Sequence, residues 1–493
     1  MSFRGLADFL LHPATISLAV HLALVIGLCI RVIMRRRPTG VTMSWLLLIA
    51  GIPYLGGLAY LLIGERRIGR SRAAGLLDLR KAFRTHSAGL LAPGVLPVDV
   101  SSDRSPIASI SRMGERLTGC PLVGGSRLEL FRDTEGILTR IARDIDGAQA
   151  SVAMEFYIWN AGGRGDEVLD ALIRAAERGV RCQVLVDALG ARTWWKGDQP
   201  ARLRGAGVEL VEALPVGLFR TVVGRTDLRL HRKIVVIDRA VAWTGSMNLV
   251  DPKFFKQDAG VGQWIDAMVR VEGVAIAPLL TVLMGDLSLE TAQPLAELLD
   301  PYGLPKIAPR GDAKLQVIPS GPGQNGDALL QMIVASVHAA QEQLVLTTPY
   351  LIPDESLLAA LRAAAARGVD VDLIVPEKVD SFLTRHACRS YFDELLEAGV
   401  RIRLFRGGLL HTKSIRIDHD LAIFGTVNLD MRSFWLNYEV ALVINDRDFV
   451  AALRDLHESY LGQCDELDRV AWSSRGVGSR LVQNTLRLAS PLL

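Results

Sequence analysis

The residues best suited to chemistry come in two matching sets. The first is His231-Arg232-Lys233, then Asp238 after four intervening residues, then Gly245-Ser246-Met247-Asn248. The second is His411-Thr412-Lys413, Asp418 and Gly425-Thr426-Val427-Asn428, 180 positions later. Histidine is scarce, with nine in 493 residues, so two imidazoles with the same escort of lysine, aspartate, hydroxyl and amide are not a compositional accident. A phosphate diester carries one negative charge that spreads over its equatorial oxygens during transfer. Lys233, Lys413, Asn248 and Asn428 supply donors for that charge. One imidazole can attack phosphorus to give a phosphohistidine, while the other protonates the departing alkoxide and then deprotonates an incoming alcohol. Both rings need an orienting partner. Asp266, in Gln263-Trp264-Ile265-Asp266, and Glu439, in Asn437-Tyr438-Glu439, follow their histidines at similar distances and are expected to accept the second ring N–H.

Other chemistries find no support. The sequence has no Gly-x4-Gly-Lys-[Ser/Thr] loop, no Gly-x-Gly-x-x-Gly between strand and helix, and no clustered histidine and aspartate signature, so neither a cofactor nor a metal is expected. The lysines and asparagines take the role a metal would have. A net charge of +3 over this length does not argue for nucleic acid. Cys29, Cys120, Cys182, Cys388 and Cys464 are scattered and odd in number, which gives no disulfide framework and points to a reducing compartment.

The elements that must position the motifs repeat as well. Residues 151–158 read as a strand, 166–178 as a helix stopped at Gly179, and 180–186 as the next strand. The second half runs likewise, with a strand over 343–348, a helix to Arg367 stopped at Gly368, and a strand over 369–375. In each copy His and Lys fall at i and i+2 of an apparent strand, 230–237 and 410–417, which would set both side chains on one face. Alternating strands and helices predict an α/β fold of two duplicated lobes, packed about a pseudo-two-fold axis that brings both histidines to one seam. The expected divisions are 1–70 for a membrane region, 71–125 for a linker, 126–300 and 301–470 for the lobes, and 471–493 for a tail.

The N-terminus carries a membrane signal. Residues 9–30 and 38–64 are two runs without charged side chains apart from histidine, each exceeding the roughly 20 residues that cross a bilayer as a helix. Arginine clusters flank both runs, at Arg31, Arg35, Arg36 and Arg37 and at Arg66, Arg67, Arg70 and Arg72. The positive-inside rule barely separates the two orientations, and cysteine usage places the catalytic part on the cytoplasmic side. The segment 214–225, Phe254-Phe255 and the tail from Leu481 are apolar with basic punctuation and would suit a lipid interface.

At the paired His-x-Lys-x4-Asp motifs the chain resembles the phospholipase D superfamily. Asp258-Ala-Gly-Val-Gly-Gln-Trp-Ile-Asp266, Gly425-Thr-Val-Asn-Leu-Asp-Met-Arg-Ser433, Asn437-Tyr-Glu439, Thr244-Gly-Ser-Met-Asn-Leu-Val-Asp-Pro252 and the closing Ser490-Pro-Leu-Leu493 extend the likeness. With the double apolar run, they resemble the bacterial cardiolipin synthase A family over essentially the whole chain. That resemblance implies a multi-pass enzyme of the bacterial inner membrane that joins two phosphatidylglycerol molecules into cardiolipin and glycerol. It carries over His231, Lys233, Asp238, His411, Lys413 and Asp418 as active-site residues, with His231 as nucleophile and His411 as acid and base. Ser246, Thr426, Asn248, Asn428, Asp266 and Glu439 are expected around them. Thr426 stands where the superfamily often has serine and keeps the hydroxyl.

Overall fold

The structure is a computed structural model that describes residues 12–35, 39–65, 68–217, 227–299, 304–323, 327–488 and 490. Most of the apolar segment 214–225 and the closing residues 491–493 lie outside the described residues. The chain divides into a small N-terminal unit and a large body that begins at Arg70.

In the N-terminal unit a helix over Pro13–Met34 is followed by a return arm in three pieces: Thr39–Gly51, Pro53–Ala59 and a π turn over Tyr60–Gly64. Ile52, ahead of Pro53, leaves helical geometry (φ −130°, ψ 78°), as expected where the proline ring disfavours the α region for the residue before it. Glu65, nearly fully buried, accepts from Arg31 Nη2 at 2.8 Å and from the Tyr60 hydroxyl at 2.9 Å, tying the end of the arm to the first helix. Among the described residues no helix is long and apolar enough to cross a membrane. The first helix keeps the expected length of 22 residues, whereas the return arm is divided at Pro53, so the helices lend the expected second span no support.

Among the described residues the body is built on one 16-stranded sheet and two separate two-stranded pairs. The first half contributes β1 (Val123–Phe131), β2 (Ser151–Phe156), β3 (Arg181–Asp187), β4 (Glu209–Ala213), β5 (Arg229–Leu230), β6 (Ile234–Ile237), β7 (Val241–Gly245), β8 (Trp264–Ile265) and β9 (Met268–Gly273). The second contributes β10 (Ala313–Ser320), β11 (Gln343–Thr347), β12 (Leu351–Ile352), β13 (Asp370–Pro376), β14 (Arg401–Phe405), β15 (Leu409–Leu410), β16 (Ser414–Ile417), β17 (Leu421–Gly425), β18 (Leu429–Asp430), β19 (Asn437–Asn445) and β20 (Cys464–Glu466). The order β4-β3-β2-β6-β7-β9-β1 is repeated as β14-β13-β11-β16-β17-β19-β10, and the halves join where β1 and β10 pair antiparallel. This is the duplicated α/β architecture the sequence implies, with the lobes fused through a continuous sheet.

Local patterns explain the cover of each lobe. The helix Arg164–Glu177 buries Val168, Leu169, Leu172 and Ala175 on one stripe, and Glu355–Ala366 buries Leu357, Leu358, Leu361 and Ala364. Both end where Gly179 and Gly368 take positive φ (86° and 89°), as their positions predict. Residues 71–125 belong to the body: the helix Arg70–Gly89 packs on Ile276–Thr291, and Pro106–Thr118 packs on Ala328–Ala339.

The expected continuous strands 230–237 and 410–417 are each interrupted at the motif. β5 pairs parallel with β19 of the other lobe, whereas β6 pairs antiparallel with β2 of its own. In the second copy β15 pairs parallel with β8, and β16 pairs antiparallel with β11. His-x-Lys is the crossing point between two hydrogen-bonding partners, which a uniform strand could not serve. The crossing requires close backbone approach. A Cβ on Gly408 (φ 136°) would stand 2.3 Å from the Gln263 carbonyl oxygen. We expect Gly408→Ala to lower stability by about 2 kcal/mol in denaturant unfolding, and Gly476→Ala, where a Cβ meets open space, to stay within about 0.5 kcal/mol. Equal midpoints for the two variants would contradict this packing.

Candidate active site

A cavity of about 330 Å³ is lined from both lobes by His231, His411, Asn248 and Asn428. Both imidazoles are almost fully buried, at 7 % and 3 % exposure. The peptide units just before them are held across the seam. His231 N donates to the Tyr438 carbonyl at 2.9 Å, and His411 N donates to the Ile265 carbonyl at 2.8 Å.

The carboxylates cross in the same way. His231 Nδ1 meets Glu439 Oε2 at 2.9 Å, and His411 Nδ1 meets Asp266 Oδ1 at 2.7 Å. Each histidine is therefore oriented by the acid of the opposite lobe, not by the acid that follows it in its own half. Hydroxyls fix the acids in turn. Ser246 Oγ donates to Asp266 at 2.6 Å and accepts from Ala267 N at 3.0 Å. Thr426 Oγ1 donates to Glu439 at 2.5 Å and accepts from Val440 N at 3.0 Å. Ser246 and Thr426 thus hold the orienting acids. A carboxylate on Nδ1 places the proton there and leaves Nε2 of each ring with its lone pair.

Electrostatics fit that tautomer. Burial pushes both histidines down to about 4, against the pull of Glu439 on His231 and of Asp266 on His411, so both are neutral near pH 7. Burial would raise the two carboxyls, but His411 and Lys413 hold Asp266 below its ordinary range, and His231 and Lys233 do the same for Glu439. Lys233 and Lys413 lie buried behind the histidines and donate to the carbonyls of His231 and His411. Burial lowers Lys233 to about 8 and Lys413 to about 7. With both lysines protonated the cluster carries two positive and two negative charges, so an arriving anion leaves it one positive charge short.

Asn248 Oδ1 accepts from Ile158 N at 3.1 Å, which leaves its NH₂ for a ligand. Asp238 and Asp418 depart from the catalytic assignment. Asp238 accepts from the backbone N–H of Gln149, Ala150 and Ser151 at 2.7–2.9 Å, and Asp418 accepts from those of Gln341, Glu342 and Gln343. Each adopts positive φ (50° and 47°) in the turn beyond β6 or β16, about 20 Å along the chain from its histidine. A residue at the far end of the strand cannot reach the cavity, and these two bind the start of the neighbouring strand.

Several lining residues were not singled out from sequence: Tyr157, Trp264, Lys256, Tyr350, Asp430, Arg432 and Asn437. Trp264 and Asn437 precede the orienting acids by two positions, and Asp430 and Arg432 continue the second motif, so proximity in sequence was the available signal. The lobes also differ. Arg232 donates to the carbonyls of Glu439 and Ser320 at 3.0 Å each and pairs with Asp286, whereas its counterpart Thr412 shares a 2.8 Å hydrogen bond with the Tyr460 hydroxyl.

A duplicated sheet with one crossed histidine pair defines a phospholipase D-like enzyme fold. The family described as "Cardiolipin synthase, PLD-like domain" matches residues 141–267 and 333–460, and "Phospholipase_D-nuclease N-terminal" matches residues 23–65. The chain is 43 % identical over 475 residues to "Cardiolipin synthase A" of Yersinia pseudotuberculosis serotype O:1b, covering 95 % of this chain and 96 % of that one. It is 41 % identical over 487 residues to "Cardiolipin synthase A" of Edwardsiella ictaluri, with the same coverage. The chain belongs to the cardiolipin synthase A family. Its fold is also that of the crystal structure of phosphatidylserine synthase from Haemophilus influenzae Rd KW20 (TM-score 0.58, 16 % identity, 78 % of this chain and 99 % of that one).

Asp266→Asn should reduce kcat on the order of a thousandfold by disturbing the His411 tautomer. Asp238→Ala should instead cost about 2 kcal/mol of stability and leave kcat of the folded enzyme within about threefold; a thousandfold loss there would return Asp238 to the chemistry. Lysines whose pKa is depressed keep their charge below the depressed value and lose it above. On that basis kcat/KM should fall as pH rises through the range from about 7 to about 8, and a flat profile to pH 9 would contradict the burial of Lys233 and Lys413.

Proposed function

We propose that this chain is a cardiolipin synthase that transfers a phosphatidyl group from one phosphatidylglycerol to the glycerol hydroxyl of another, releasing free glycerol. The observation that carries this reading is the crossed pair of neutral histidines facing one cavity. Membership of a family whose relatives bear that name supports the lipid substrate and the transferase outcome.

The steps balance on this chain's own residues. His231 Nε2 attacks the donor phosphorus, and the bond from phosphorus to the glycerol oxygen breaks. Binding of the anionic diester raises the proton affinity of His411, which takes up a proton from solvent at Nε2, gives it to the departing alkoxide and is neutral again. The second phosphatidylglycerol then enters, His411 Nε2 takes the proton from its hydroxyl, and the oxygen attacks phosphorus as the P–N bond to His231 breaks. Glu439 and Asp266 hold the rings and stabilise whichever becomes cationic. Asn248 and Asn428, which line the cavity, face the charge on the equatorial oxygens, and Lys233 and Lys413 lend positive charge from behind the histidines. The exchange replaces one phosphodiester with another, so it needs no nucleotide to drive it. Asp238 and Asp418 take no step.

Burial of both imidazoles suits transfer over hydrolysis, because a lipid that fills the cavity displaces water as acceptor. The N-terminal hairpin, the exposed apolar Phe254 and the amphipathic helix Val477–Arg487, with Leu481 and Leu488 exposed, would bring the body to a bilayer. We place the enzyme at the bacterial inner membrane, multi-pass, with the lobes in the cytoplasm; cysteine usage supports that side.

Purified enzyme in detergent with phosphatidylglycerol alone and a chelator present should yield cardiolipin and glycerol in equal amounts. His231→Ala and His411→Ala should each lose turnover on the order of ten-thousandfold. Phosphatidic acid as the sole product would contradict transfer, and full activity in either variant would contradict the two-histidine mechanism.

A further inference from the structure

In the lipid-to-lipid transfer proposed above, on which this inference rests, the acceptor brings a phosphate of its own. Its attacking hydroxyl and its phosphate are separated by only three carbons. Once that hydroxyl is aligned on the reacting phosphorus, the second phosphate must lie within the same cavity or at its rim. A second anion there needs a second cationic group, because Lys233 and Lys413 are already matched by Glu439 and Asp266 around the histidines.

The lining offers two further cations on opposite flanks: Arg432 and Lys256. Arg432 donates to the carbonyl of Asp227, four residues ahead of His231, which puts it on the His231 side. Lys256 Nζ lies 5.6 Å from the centroid of the Trp264 ring, and that ring stands 4.3 Å from the ring of His411. Lys256 is fixed by Asp380 at 2.9 Å, and the other Asp380 oxygen accepts from the Tyr350 hydroxyl at 2.9 Å. In-line displacement admits the incoming alcohol opposite the nucleophile. With His231 on phosphorus, the alcohol enters beside His411 and its phosphate falls toward Lys256.

We propose that Lys256, held by Asp380 and Tyr350, is the subsite for the phosphate diester of the acceptor lipid. An ammonium has three donors, and Asp380 takes one, leaving two for phosphate oxygens. Both Asp380 oxygens are already engaged, so the carboxylate positions the lysine without facing the ligand. The subsite selects a phosphate-bearing alcohol over free glycerol or water, and so favours lipid-to-lipid transfer.

The test compares two acceptors in the full-length enzyme in detergent: phosphatidylglycerol, read as cardiolipin, and isotopically labelled glycerol, read as exchange into phosphatidylglycerol. Lys256→Ala should raise KM for the lipid acceptor by about tenfold or more relative to its effect on glycerol exchange, and raise the share of phosphatidic acid. Lys256→Arg should restore most of that ratio. Equal losses in both reactions would mean that Lys256 only supports structure. A selective loss in Arg432→Ala instead would place the acceptor on the His231 side. Either result overturns the assignment. Wild-type enzyme that exchanges glycerol yet forms no cardiolipin would overturn the functional reading itself.

Discussion

The structure depends on two buried histidine–carboxylate pairs that each span the lobe boundary. Neither lobe alone can orient its own imidazole. Glu439 reaches His231 from the second lobe, and Asp266 reaches His411 from the first. In a buried setting the loss of either partner leaves a polar group with no water to replace it, which costs more than the pair contributes when intact. The continuous sheet through β1 and β10, the two-residue strand pairs β5–β19 and β15–β8, and the hydroxyls of Ser246 and Thr426 all hold those four side chains in register.

Charge follows from the same burial. Two lysines, two carboxylates and two neutral imidazoles balance in the absence of substrate, so the pocket avoids the cost of a buried net charge. A phosphate diester disturbs that balance by one unit, and the proton that restores it belongs on a histidine. The same low polarity that depresses the imidazoles while the pocket is empty makes one of them an acid once an anion arrives. Rings with raised pKa values would instead enter the reaction already protonated, and the attacking Nε2 would have no lone pair to use.

Much of this was legible in the chain because the duplication is written twice. The helix stops at Gly179 and Gly368, the flanking strands and the paired His-x-Lys motifs all lie where their spacing puts them. The identity of the orienting acids was readable too, but the exchange of partners between lobes was not. A sequence pattern reports which residues recur in each half, and a pseudo-two-fold seam then joins unlike ends. The interrupted strands escaped for the same reason, since alternation over 230–237 cannot reveal that Leu230 and the His231 N–H pair with a different lobe. Asp238 and Asp418 misled because a motif preserves folding residues as faithfully as catalytic ones. Lys256 and Arg432 gave no signal of their own, because their neighbours in the cavity come from distant parts of the chain. The return arm of the hairpin read as one apolar run, yet the single Pro53 divides it.

The crossed pairing can be observed without turnover. Nitrogen-15 spectra of ring-labelled histidine in the detergent-solubilised enzyme should show His231 and His411 as neutral rings protonated at Nδ1 at pH 7. Asp266→Asn should then shift the His411 ring signals and leave those of His231 in place, with Glu439→Gln doing the reverse. If Asp266→Asn moved His231 instead, each lobe would be orienting its own histidine, and the account of a single site shared across the seam would be wrong.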